Sequence, residues 1–227
     1  PGDEYSPGPL YRKDLLTGEI IRVDSLSDGS TFSANWGIQN ATLSLDGNVA
    51  VFESADSRFK EENPVPGGEI HLYHKNLVTG ELKLVDDWSS TSSYSGGYET
   101  TISADGNVVG VNLHQEGIYV KNMLTGDVQR VDITADGQTS SNAGNWGTSV
   151  IVSPDGNKVA FTGSNDLVPG QPSGGPQLFV KNLLTGDLVV ASSDINGQLG
   201  NGFSGATAYF SADSRFVAFD SWSNNLI

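Results

Sequence analysis

Four short segments carry residue types that could hold a ligand: ANWG around Trp36, SGGY ending at Tyr98, GNWG around Trp146 and GNGFSG around Phe203. Each sets one aromatic ring among Gly, Asn and Ser, and Asn35, Asn145 and Asn201 stand beside three of the rings. An aromatic ring stacks on the apolar face of a sugar while a nearby amide reaches its hydroxyls, the mixture a polar ligand pocket uses. The same four positions also fit a plainer role, a wedge sealing the core between repeating units.

Carboxylates follow a second pattern. VDSLSDG (23–29), VDITADG (131–137) and SSDING (192–197) space their oxygen-bearing side chains somewhat like a calcium loop, which wants ligands at positions 1, 3, 5 and 12. From Asp132 the run continues with Thr134, Asp136 and Gly137, but Ala143 occupies the twelfth place. From Asp24 the third place is Leu26 and the fifth is Asp28. No loop is complete, so Asp132, Asp136, Asp24 and Asp28 are weak candidates for a looser calcium site, and hairpin-turn aspartates are the simpler account. No other cofactor is indicated.

Catalytic patterns are thinner still. His71 and His74 lie at odd spacing in one expected strand, so they point to opposite faces, and His114 stands alone. GFSGA (202–206) is the nearest approach to a G-x-S-x-G elbow and does not match it. Glu61–Glu62 and Asp86–Asp87 are adjacent pairs, which face apart in a strand. No catalytic residue is assigned. A polysaccharide hydrolase or lyase using carboxylates across a channel stays open as an alternative, because sequence does not give their separation.

Composition narrows the partners. With 12 Lys+Arg against 27 Asp+Glu the net charge is −15, which leaves no basic face to displace counterions from nucleic acid. Glycans and proteins remain as ligands. No apolar run approaches the roughly 20 residues that span a bilayer, so membrane insertion is not expected. Cysteine is absent, which excludes disulfides and thiol chemistry.

The elements that must position these residues come in repeats. One hairpin recurs as LYRKDLLTGEIIRVD (from Leu10), HLYHKNLVTGELKLVD (from His71), IYVKNMLTGDVQRVD (from Ile118) and LFVKNLLTGDLVVAS (from Leu178). A second recurs as TLSLDGNVAVFES (from Thr42), TISADGNVVGVNL (from Thr101), IVSPDGNKVAFTG (from Ile151) and YFSADSRFVAFDS (from Tyr209). Asp-Gly and Thr-Gly supply the positive φ of tight turns, and the flanking residues are apolar on both faces, as strands between two sheets must be. No helical stripe persists over ten residues, so no helix is expected.

Each repeat thus reads as a four-stranded antiparallel meander, a β-propeller blade in an all-β fold. The aspartates of the first turn, Asp46, Asp105, Asp155 and Asp213, are 59, 50 and 58 positions apart. Carried through the end of the chain and on from Pro1, the step from Asp213 to Asp46 is 60. The last repeat has only first and second strands; the first has only third and fourth. Blades are expected at about 37–86, 98–132 and 146–192, with a composite blade of 203–227 and 1–24, in a single domain 1–227. A four-blade slice of a longer propeller fits the same spacing, and the resemblance described next implies rings of six to eight blades.

The motifs S-x-D-G-x-x-V-A-F-x-S and L-[FY]-V-K-N-L-x-T-G-[DE], with SNDLVPG (164–170), resemble the WD-like repeats of TolB-type propellers over nearly the whole chain. The resemblance implies an extracytoplasmic setting (secreted, cell surface or periplasm) and a non-enzymatic binding or adhesion module. It also admits a structural spacer within a larger chain, or self-association. Any export leader would lie outside these 227 residues. The hairpin lysines Lys13, Lys75, Lys121 and Lys181 are expected to cover apolar surface with their stems.

Overall fold

The computed structural model of the chain describes residues 8–31, 38–64, 70–87, 99–113, 116–134, 137–139, 149–168 and 175–227. Of the candidate residues named above, Trp36, Asn35, Tyr98, Trp146, Asn145, Asp136 and His114 lie outside them, as do Pro1 and Ala143. The chain forms two compact units, 1–97 and 98–227.

Both expected turns form by side-chain capping of the backbone. In the first, Ser44 Oγ donates to Asp46 Oδ1 at 2.6 Å, Asn48 N donates to the same oxygen, and Gly47 takes φ +70°. The arrangement repeats at Ser103–Asp105, Ser153–Asp155 and Ser211–Asp213. In the second turn an Asx side chain accepts from the two N–H groups that follow, as Asn122 Oδ1 does from Leu124 and Thr125. Such local bonds set hairpin register before any tertiary contact exists.

Unit 1 holds the hairpin Tyr11–Lys13 (β1) and Ile20–Arg22 (β2), followed by the strands Gln39–Leu43 (β3), Val49–Ser54 (β4), His71–Asn76 (β5) and Leu82–Leu84 (β6). β3 to β6 form one antiparallel sheet in chain order, while β1 and β2 form a two-stranded sheet. Val23 and Leu10 of the hairpin segment share a core with Ala50, Phe52, Phe59, Tyr73, Leu82 and Leu84. Phe52, Phe59 and Tyr73 stack there with ring centroids 5.0–6.0 Å apart.

Between β4 and β5 a short helix, Ser57–Glu62 (α1), stands where no helix was expected. Asp56 caps it by accepting from Arg58 N, and Phe59 is its buried anchor. Six residues are too few to show a helical stripe, so only the capping side chain and one apolar residue could have signalled it.

Unit 2 holds Glu99–Ile102 (β7), Val108–Leu113 (β8), Gly117–Asn122 (β9) and Val128–Arg130 (β10), which form one four-stranded sheet. A second comprises Val150–Val152 (β11), Lys158–Gly163 (β12), Gln177–Asn182 (β13) and Leu188–Val190 (β14). Ser204–Phe210 (β15) and Val217–Ser221 (β16) form a two-stranded sheet. Of the segments expected to make the composite blade, β1–β2 belongs to unit 1 and β15–β16 to unit 2, each a two-stranded sheet.

Successive sheets of unit 2 meet face to face. Ile118, Val120 and Val131 share a core with Val150, Val152, Val159, Phe161 and Phe179, and on the far side Ala160 and Leu178 meet Ala208. A Cβ on Gly110 would lie 2.8 Å from the Val152 side chain, so glycine at this strand position is what lets β8 approach β11. Turn carbonyls and hydroxyls lock the seam: Ala104 N donates to Pro154 O, and Asp155 N to Ser214 Oγ.

Of the hairpin lysines, Lys75 acts through its ammonium group. Lys75 is buried, and its Nζ donates to Ser25 O, Leu26 O and Gly80 O at 2.9, 2.9 and 2.6 Å. It thereby ties β5 to the segment that leaves β2. Lys121 and Lys181 are buried likewise.

Candidate functional site

Among the four expected aromatics, Phe203 is the one within the described residues. It ends the connection from β14 to β15, which folds back on itself through a bridge of Ser193 to Leu199. Asp194 builds the turn by accepting from Asn196 N and Gln198 N, both at 2.8 Å, and Gly197 takes φ +82°. Those two amides, together with the smaller opposing effect of desolvation, leave the Asp194 carboxyl below its usual value.

The base of the connection is held by Gln177, which is wholly buried. Its Nε2 donates to Gly175 O, Gly200 O and Gly202 O at 3.1, 3.1 and 3.2 Å, while its Oε1 accepts from Ser192 Oγ at 2.7 Å. Ser192 Oγ in turn accepts from Leu178 N. One amide thus joins the loop before β13 to the loop before β15.

Above this base, Phe203 meets Trp222 edge-on, centroids 6.0 Å apart at 62°. Trp222 N donates to Phe203 O at 2.8 Å, which fixes the indole beside the phenyl ring. The phenyl is half-buried; the indole is 81% exposed. Asn201 lies alongside, its Nδ2 donating to Asn224 Oδ1 and its Oδ1 accepting from Asn224 N. Asn201 N donates to Asn225 Oδ1, and Asn225 Nδ2 to Leu199 O. Asn201 therefore ties the loop to residues 224 and 225.

Trp222 was not among the expected ligand residues. A signal for it exists in the repeats: FDSWSNN (219–225) carries one residue more between its Phe and its Asn pair than FTGSND (161–166). In the first copy Ala55 holds the matching place: Asp56 N donates to Ser54 Oγ as Ser223 N does to Ser221 Oγ, so the repeat itself does not require a ring there.

The acids behave as turn and anchor residues. Asp24 is buried, accepts from Leu10 N at 3.0 Å and pairs with the Arg22 guanidinium at 2.9 Å. Asp132 is buried against Arg130 at 2.8 Å. Asp28 is exposed and accepts from Ser30 N; the Ser30 hydroxyl and N–H hold its carboxyl below the usual value. Other copies use the same anchoring position: Leu72 N donates to Asp86, as Leu10 N does to Asp24, and Leu178 N donates to Ser192. Asp86 also meets His71 Nδ1 at 3.1 Å, so this histidine belongs to a buried anchor. Among the described residues no group of three or more His, Cys, Asp or Glu is placed to hold a metal ion.

No protein-family model and no curated protein matches the sequence. Solved structures do. TolB from Acinetobacter baumannii aligns over 97% of this chain and 45% of its own, at 18% identity and a TM-score of 0.50. Dipeptidyl peptidase 4 from Porphyromonas gingivalis aligns over 97% and 34%, at 15% identity and 0.56. Oligogalacturonate lyase from Vibrio parahaemolyticus aligns over 97% and 56%, at 14% identity and 0.53. The chain thus shares the β-propeller fold with TolB-like proteins, peptidases and a lyase, and spans about half or less of each of these three. Among the described residues no helix is long and apolar enough to cross a membrane.

Proposed function

We propose that the chain is a non-enzymatic binding module of an extracytoplasmic protein, and that it takes a neutral glycan on the Trp222–Phe203 surface. One observation carries the reading: a largely exposed Trp is held edge-on to a second ring over a loop whose polar groups are bonded internally. A rigid aromatic platform of this kind loses little entropy when a sugar ring stacks on it. The acidic surface suits a neutral ligand better than an anionic one.

A glycan array followed by calorimetry, with and without calcium, tests the proposal. Binding that disappears in Trp222→Ala supports it. Silence of the folded wild type across the array and in both buffers removes the glycan reading and leaves a protein ligand. Calcium dependence would restore a metal role for the acidic turns.

A further inference from the structure

Glycine has no side chain to hold its amide nitrogen away from the side-chain carbon of the residue before it. An Asn-Gly pair can therefore cyclise wherever the backbone is free to bring the two atoms together. The chain has two such pairs, Asn196–Gly197 and Asn201–Gly202, both in the connection from β14 to β15. Both asparagines are exposed, so access to solvent does not distinguish them. Their surroundings do.

Asn201 is tied at both ends of its side chain. Its Nδ2 donates to Asn224 Oδ1 at 2.8 Å and its Oδ1 accepts from Asn224 N at 3.1 Å. Gly202 is held as firmly: its N donates to Ser223 Oγ at 3.0 Å, and its O accepts from the same hydroxyl at 3.1 Å. A Cβ on Gly202 would lie 2.9 Å from the Trp222 main chain, so this peptide has no room to turn. Asn196 has a looser hold, since its Nδ2 reaches Asp194 Oδ2 at 3.4 Å, near the limit of a hydrogen bond. Nothing lies within 4 Å of a Cβ placed on Gly197. Gly197 N donates to Asp194 O at 3.0 Å, and that bond closes a turn whose other residues, Ile195 and Asn196, are exposed. Such a turn opens without disturbing the core.

We propose that Asn196 is a site of spontaneous deamidation in the folded chain, and that the fold protects Asn201 although it has the same glycine neighbour. In the opened turn Gly197 N gives up its proton to solvent and attacks Asn196 Cγ. The new C–N bond forms as the bond from Cγ to Nδ2 breaks, and ammonia leaves. Water then opens the cyclic imide at one or other carbonyl, so residue 196 becomes aspartate or isoaspartate. Water is the co-reactant and no electrons are transferred. Either product sets a new carboxylate beside Asp194. The isoaspartate also adds a carbon to the main chain, which breaks the register of Gly197 N with Asp194 O. The turn is altered while the ties of Asn201 stay in place.

Wild-type protein aged in mildly alkaline buffer, folded in one sample and unfolded in urea in another, tests the proposal. Peptide mapping by mass spectrometry reads the gain of about 1 Da at each asparagine, and isoaspartyl methyltransferase labelling confirms the isoaspartate. In folded protein Asn196 should convert faster than Asn201 by about tenfold or more, and in urea the two rates should come within a few-fold of each other. Asn224→Ala, which removes the acceptor of Asn201 Nδ2, should raise the Asn201 rate in protein shown by its melting transition to be folded. Equal or reversed rates in the folded wild type overturn the proposal. So does a folded Asn196 that stays intact while the unfolded chain converts, or a preference for Asn196 that persists undiminished in urea.

Discussion

Gln177 donates its side-chain amide to the carbonyl of Gly202, one residue before Phe203, from a position in β13 with no solvent exposure. The same amide holds Gly175 and Gly200, so the loop carrying Phe203 is referenced to the sheet rather than to solvent.

Gln177→Leu should therefore be costly. It keeps the volume but strands buried carbonyls and the Ser192 hydroxyl, an effect on the order of 2–4 kcal/mol. Urea unfolding measures it, and glycan affinity should fall with it because Phe203 loses its support.

Trp222→Ala should separate binding from folding. The indole is exposed, so stability is expected to stay within about 0.5 kcal/mol of wild type while glycan affinity drops at least tenfold. Phe203→Ala, which removes a half-buried ring, should instead lower the melting temperature as well. If both variants lose stability alone, the rings are packing wedges.

Lys75→Met and Lys13→Met make a matched pair. Lys75 leaves three carbonyls without their cation, a loss of roughly 1.5–3 kcal/mol. Lys13 is exposed, so its replacement should be near neutral. Calorimetric melting at matched, low concentration compares them.

Acid should weaken the fold through the first-turn aspartates. The Ser44 hydroxyl and the Asn48 N–H hold Asp46 below its usual carboxyl value, and the Ser211 hydroxyl and Arg215 N–H do the same for Asp213. A carboxylate depressed in the folded state stabilises fully above its unfolded pKa and loses that contribution as pH falls through the lower folded value. The unfolding midpoint should thus drop below about pH 4. Ser44→Ala should flatten that dependence by removing the main donor to Asp46.

Much of this was readable from residue order. The blades and the turn types follow from period-two apolar runs broken by Asp-Gly and Thr-Gly, signals that act over four to six residues. Less local features were not readable. α1 is too short to show a period. Gln177 is polar inside an apolar strand and appears once, at a place where its counterpart in β5 is His71. The bonds of Asn201 to residues 224 and 225 join segments more than twenty positions apart.

Strand identity, turn geometry and repeat number were set by bonds between neighbours in the chain, and these need no knowledge of what packs on top. The fate of each polar side chain was decided by groups from another strand or another sheet: Lys75 as a tie, Asp24 and Asp132 as anchored ion pairs, Trp222 as the exposed ring. Desolvation and long-range hydrogen bonding depend on that assembled neighbourhood, which residue order encodes only through the fold.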